Sequence, residues 1–236
     1  MSYFDEIKLA EFWKSSDYAR REYVLPSPTK NMIERVQDRL GYSLPDAYIE
    51  LMRFQNGGLP KNTCLPTNTP TSWAANHIAI HGIMGIGATK TYSLCGELGS
   101  QFMIAEWGYP SIGIYFGDCP SAGHDMICLD YRTCGPMGEP RVAYVDQEDD
   151  YKITHLADNF ELFICGLVDD AQFNEVDNEC ATEFIWRTDF MTASIQSYDC
   201  GQYLDLKQKN LTRRCGLDQQ ETKTPKTLER PKRFLE

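Results

Sequence analysis

Apolar positions follow a helical period near the amino terminus, a strand-like one through the middle of the chain, and a helical one again after it. Between Thr29 and Gly41, Met32, Ile33, Val36 and Leu40 share one helical face. Gly41 follows where a helix end favours a left-handed residue. A second helix is expected from Pro45, a favourable first-turn residue, through Tyr48, Leu51 and Met52 to the pair Gly57 and Gly58. Upstream, Phe4, Ile7, Leu9, Phe12 and Trp13 predict a short helix, broken by Pro26 and Pro28. Residues 59–76, rich in Pro, Thr and Asn, read as a long surface loop. The runs HIAIHGIMGI, FMIAEWG, SIGIYFG, DMICLDY and RVAYVDQ then alternate or stay apolar between Gly and Pro clusters, the pattern of consecutive strands. From Leu156 the series Leu156, Phe160, Phe163, Ile164 and Leu167 returns to a helical face. Helices at both ends of a run of strands predict an α+β fold with a central, mainly antiparallel sheet.

The last 68 residues differ in character. Asp169, Asp170, Glu175, Asp177, Glu179 and Glu183 make their start acidic, and the chain ends in the basic RPKRFLE. The expected organisation is a domain over 1–168, an acidic, partly docked helical extension over 169–205, and a basic, flexible tail over 206–236. Charge sharpens this division. The chain carries −11 overall, yet residues 204–236 hold nine Lys/Arg against five Asp/Glu, leaving 14 basic against 29 acidic side chains in the preceding 203. Such a field repels nucleic acid and favours encounter with a basic protein surface, although it also serves solubility. The start MSYFDEIKLAEFW lacks a signal-like apolar run, and no stretch reaches the 18 apolar residues of a membrane span, so a cytoplasmic protein is expected. The nine cysteines include no C-x-x-C pair and read as reduced thiols, with no metal expected.

Four segments imitate functional motifs, and each departs from its pattern. In GIMGIGATKT, Gly82 and Gly87 have the separation of a phosphate-binding loop, but Ala88 and Thr89 stand before Lys90. In CPSAGHD, Ser121, His124 and Asp125 suggest a hydrolase, but Cys119 replaces the glycine of a nucleophile elbow, and neighbouring residues on an extended chain cannot orient one another. A turn in which Ser121 or Asp125 bonds local backbone is expected there instead. Asp146, Glu148 and Asp150 begin like a calcium loop, but its sixth position is Tyr151 and its twelfth Ala157. His77 and His81 would share a face only on a helix, whereas their segment reads as a strand. What survives is a dense acidic cluster on a turn, Asp146, Glu148, Asp149 and Asp150, of a kind that is usually a solvated loop and is here also a candidate contact surface.

The stretch LGYSLPDAYIELMRFQNGG resembles the amino-terminal signature of the SUKH superfamily in its Smi/Knr branch: a helix, the turn L-G-x-x-L-P, and a second helix ending at N-G-G. The block EWGYPSIGIYFGDCPSAGHDMICLDYRTCGPMGEPRVAYVDQE, with the following Ile-Thr-x-Leu-Ala-x-Asn-Phe, is similar to one bacterial subgroup of that family, and together the two cover roughly residues 25–168. The resemblance implies a SUKH-like fold, a twisted sheet flanked by helices, with no catalytic constellation to carry over. For bacterial members it implies neutralisation of a cognate contact-delivered toxin, often a nuclease or other nucleic-acid-modifying enzyme; fungal members help regulate cell-wall assembly. The expectation is therefore a non-catalytic immunity protein without cofactor, occluding the basic surface of a toxin domain and binding neither nucleic acid nor membrane. A regulatory scaffold in cell-wall or stress signalling is the alternative, and a hydrolase the third reading. Candidate partner contacts are Glu106, Trp107, Tyr109, Asp118 and Tyr131 along the sheet block, and Glu148, Asp149 and Asp150 in the acidic turn. Trp107 and Tyr131, lying in apolar runs, are as a class more often core than interface.

Overall fold

Fourteen elements follow one another in a computed structural model that describes residues 3–174 apart from Asp5. They are α1 (Glu6–Phe12), α2 (Asp17–Glu22), α3 (Lys30–Leu40), α4 (Asp46–Phe54), β1 (Cys64–Pro66), β2 (His77–Ala79), β3 (Gly82–Ile83), α5 (Ser100–Ala105), β4 (Gly113–Asp118), β5 (Asp125–Asp130), β6 (Arg141–Asp146), β7 (Lys152–Ala157), α6 (Phe160–Cys165) and α7 (Ala171–Asn174). The extension and tail expected over 169–236 lie outside the described residues beyond Asn174, whose short helix is stacked onto the body through Phe173 and His77 at 4.0 Å.

Local chemistry sets the first helices. The Thr29 hydroxyl accepts the Met32 N–H and caps α3, and Gly41 ends it in the left-handed region at φ +79°. The Gln37 side chain then accepts the Leu44 N–H, which fixes the L-G-x-x-L-P turn into α4. Behind α4, Asn56 is buried and saturated. Its Nδ2 donates to the Pro26 and Ile86 carbonyls, and its Oδ1 accepts the Ile86 N–H at 2.6 Å. Gly57, at φ +91°, leaves no room for a side chain: a Cβ there would lie 2.7 Å from the Gly85 nitrogen. The N-G-G signature is thus a clasp holding the 83–87 backbone against the first helices. The same close packing fills the segment that imitates a phosphate loop, since a Cβ at Gly85 would lie 2.5 Å from the Asn56 carbonyl oxygen.

The sheet is antiparallel throughout, in the order β3-β4-β5-β6-β7, with β1 and β2 forming a separate ribbon. Every side chain of β4 and β5, and all but the first of β6, is buried. These strands therefore read as continuous apolar runs rather than alternating ones. Helix α6 lies on β6 and β7 and against α4. Edge-on contacts of Phe116 with Tyr48, Phe160 and Phe163, at 5.4–5.8 Å, knit β4 to α4 and α6.

The observed elements correct four expectations. FMIAEWG is not a strand; Ser100 and Met103 are buried one helical turn apart in α5. HIAIHGIMGI is divided between two sheets, as β2 and β3. The loop over 59–76 contains β1. Leu156 belongs to the edge strand β7, and α6 begins only after Asn159, whose side chain accepts the Leu162 N–H.

Candidate partner-binding surface

One end of the sheet gathers the turns that carry most of the polar candidates. Here lie the start of β3, the ends of β4 and β6 and the starts of β5 and β7, with the 119–124 and 147–151 turns between them. The segment after α5 joins them. The Tyr151 hydroxyl donates to the Trp107 carbonyl, and the Tyr109 hydroxyl donates to the Gly123 carbonyl at 2.7 Å. The Trp107 ring lies over Gly123, where a Cβ would stand 3.1 Å from it, and meets His124 edge-on at 5.8 Å. His124 in turn bonds Gln147 through Nδ1 at 2.9 Å, and the Gln147 N–H donates to the His124 carbonyl at the same distance. Three turns far apart in sequence are thus one bonded unit.

On this unit Glu106, His124, Glu148, Asp149 and Asp150 are exposed, and Trp107 and Tyr151 are half-buried. Asp149 holds Lys152 at 2.8 Å, and this hydrogen bond raises the lysine pKa above its ordinary value. Glu106, Glu148 and Asp150 complete the acidic rim. The rim keeps its shape through Asp146, buried to 1% exposure, whose Oδ1 accepts the N–H groups of Glu148 and Asp149 at 3.1 and 3.2 Å. Asp150 and Tyr151 both sit at positive φ, +53° and +55°, an uncommon conformation for residues with side chains and one that this turn must hold in place.

The other three candidates lie inside the protein. Tyr109 is 2% exposed, and burial drives its phenol pKa upward. It supports the Trp107 turn from below. Asp118, at the end of β4, is 6% exposed; both its oxygens accept the Tyr23 hydroxyl at 2.9 Å, and Oδ2 lies 3.0 Å from His81 Nδ1. It ties the loop after α2 to the sheet. Tyr131, 2% exposed, follows the opposite end of β5, packs on Tyr42 at 4.6 Å and donates to the Ser43 carbonyl. A rigid partner touching the acidic rim would not reach these three side chains.

The hydrolase-like segment forms the expected turn: Ser121 Oγ accepts the Asp125 N–H at 2.9 Å, and His124 faces Gln147 rather than Ser121. Tyr151 and Gly123 were not singled out from sequence as surface-forming. Their only signal was negative, the failure of Tyr151 to be the glycine of a calcium loop.

No helix among the described residues is long and apolar enough to cross a membrane. Comparison with known families gives a match between residues 27–166 and the model of the SMI1 / KNR4 family (SUKH-1), a span that contains every residue of the acidic rim. No curated protein matches the chain.

Proposed function

Because the chain belongs to the SMI1 / KNR4 family (SUKH-1), we propose that it is a non-catalytic immunity protein that binds a cognate bacterial toxin and covers its active or substrate-binding surface with the acidic end of its sheet. The observation that carries this reading is the convergence of Glu106, Glu148, Asp149 and Asp150 around the half-buried Trp107 on one bonded scaffold. A nuclease or other nucleic-acid-modifying toxin presents a basic surface to its substrate's phosphates, and a rim of carboxylates competes for that surface. Long-range attraction speeds the encounter, while an aromatic anchor slows release.

Co-expression with the toxin domain encoded next to this chain tests the proposal. Cells should survive, a complex should co-purify, and Ser121→Ala should protect as well as the parent. Absence of both rescue and complex would sink the reading and favour a regulatory scaffold; loss of protection in Ser121→Ala, with the complex retained, would favour an enzyme. The charge component has a separate readout. Neutralising Glu148, Asp149 and Asp150 to their amides should slow association about tenfold at low salt, with the difference shrinking as added salt screens the rim. An association rate that is the same in both proteins would assign the acidity to solubility alone.

A further inference from the structure

Asp125 and Asp146 stand directly opposite each other across β5 and β6 and are only 3% and 1% exposed. Tyr144, two residues along β6, projects to the same face. Asp125 Oδ1 and Tyr144 Oη are both buried and make no well-formed hydrogen bond, although the Tyr144 phenol lies close enough to Asp125 to lower its carboxyl pKa. The fold's other buried polar side-chain atoms, Trp13 Nε1 apart, are partnered among the described residues. A buried carboxylate oxygen beside a second carboxylate calls for a cation or a proton. No cluster of three His, Cys, Asp or Glu among the described residues is arranged to hold a metal ion. Lys152, opposite Asp146 on β7, is drawn away to Asp149 at 2.8 Å. A proton is the occupant that fits.

We propose that Asp125 and Asp146 form a proton-dependent brace: a proton held between them in mildly acidic solution locks the 147–151 turn and the 67–76 loop onto the end of the sheet, and its loss loosens both. The mechanical link is Asp146. Its Oδ1 holds the amides of Glu148 and Asp149, and its Oδ2 accepts the Ser72 N–H at 3.1 Å. When Asp125 is protonated its O–H can donate to Asp146 or Tyr144, and the unpartnered atoms are satisfied. When it is ionised, the Tyr144 and Ser121 hydroxyls favour the charge, but burial opposes it and a second buried carboxylate faces it beneath a turn already at positive φ. Burial, reinforced by the charge of Asp146, holds the Asp125 carboxyl at about 6. The groups facing it are Cys119 from beyond β4, Tyr109 from the Trp107 turn, Ser121 from the turn before β5, and Tyr144 and Asp146 from β6, none of them cationic. A carboxyl raised in the folded state gives stability that is complete below the ordinary carboxylate range and is lost as pH rises through about 6. That the braced turn is a partner surface rests on the function proposed above; the brace itself does not.

The test uses the full chain without a partner. Hydrogen-exchange protection of the Ser72, Glu148 and Asp149 amides, corrected for intrinsic rates, should fall about tenfold between pH 5 and pH 7.5. Asp125→Asn carries an N–H donor at every pH and should hold these amides at the high-protection level throughout. His124→Gln should keep the pH dependence, histidine being the side chain that ordinarily titrates in the same window. Flat protection in the parent, or a pH dependence that survives Asp125→Asn, would overturn the brace, and loss of that dependence in His124→Gln would assign the titration to the histidine instead. A carbon-detected titration of the parent, needing no variant, should give Asp125 a midpoint near 6. A midpoint at or below the ordinary aspartate value of about 4 would also overturn it.

Discussion

Asn56→Ala is expected to lower the unfolding free energy by about 3–5 kcal/mol and the melting temperature by about 10 °C. The side chain is 1% exposed and serves three backbone groups: the Pro26 carbonyl and both the N–H and the carbonyl of Ile86. Alanine leaves all three buried and unpaired, each at a cost of about 1–3 kcal/mol, less whatever an entering water recovers. The loss falls where the 83–87 backbone meets the first helices, so the damage should be global rather than confined to a loop. Gly57→Ala attacks the same joint by another route, forcing a Cβ against the Gly85 nitrogen at a φ of +91°. Chemical denaturation of the two variants checks both, with a drop under 1 kcal/mol for Asn56→Ala showing that the clasp is replaceable.

The same residues show why some of the fold was legible in the sequence. The N-G-G triplet has a signature because local and distant demands coincide in it: a left-handed glycine and an asparagine that must reach Ile86, thirty residues on. Helices α3 and α4 were readable because a one-sided apolar period and end signals at Thr29, Gly41 and Pro45 agree. FMIAEWG misled because a six-residue apolar helix and a buried strand cannot be told apart by period. Leu156 misled because its spacing to Phe160 is helical by coincidence; the chain leaves β7 and restarts at the Asn159 cap between them. Burial of candidate site residues was less legible still. Asp118 looked like an available acid, but its fate is decided by Tyr23, ninety-five residues away, and Tyr131 is claimed by Ser43, eighty-eight residues away. The acidic turn was legible only in part: Glu148, Asp149 and Asp150 are exposed as expected, but Asp146, read with them as one solvated cluster, is 1% exposed because it accepts the N–H groups of Ser72, Glu148 and Asp149.

Trp107→Ala is expected to weaken binding of the toxin about 30- to 1000-fold, some 2–4 kcal/mol, and almost wholly through faster dissociation. The ring is half-buried, so part of its surface remains for a partner, and it is fixed before any partner arrives. Gly123 supports it from below, His124 borders it, and the Tyr151 hydroxyl holds its carbonyl. An anchor ordered in advance loses little conformational freedom on binding, which is what makes a single aromatic residue dominant at an interface. Neutralising Glu148, Asp149 and Asp150 acts on the encounter instead, so the two sets of variants should separate in kinetics, one in dissociation and the other in salt-dependent association. Removing the indole also unpacks it from Gly123, so the melting temperature must be followed in parallel. The Tyr109 bond to the Gly123 carbonyl and the Tyr151 bond to the 107 carbonyl survive the substitution, and they should keep the turn in place with a modest loss of stability. If the variant melts much lower while dissociating from its partner at the parent rate, Trp107 is a packing residue, and the lasting affinity of this surface must come from elsewhere on the rim.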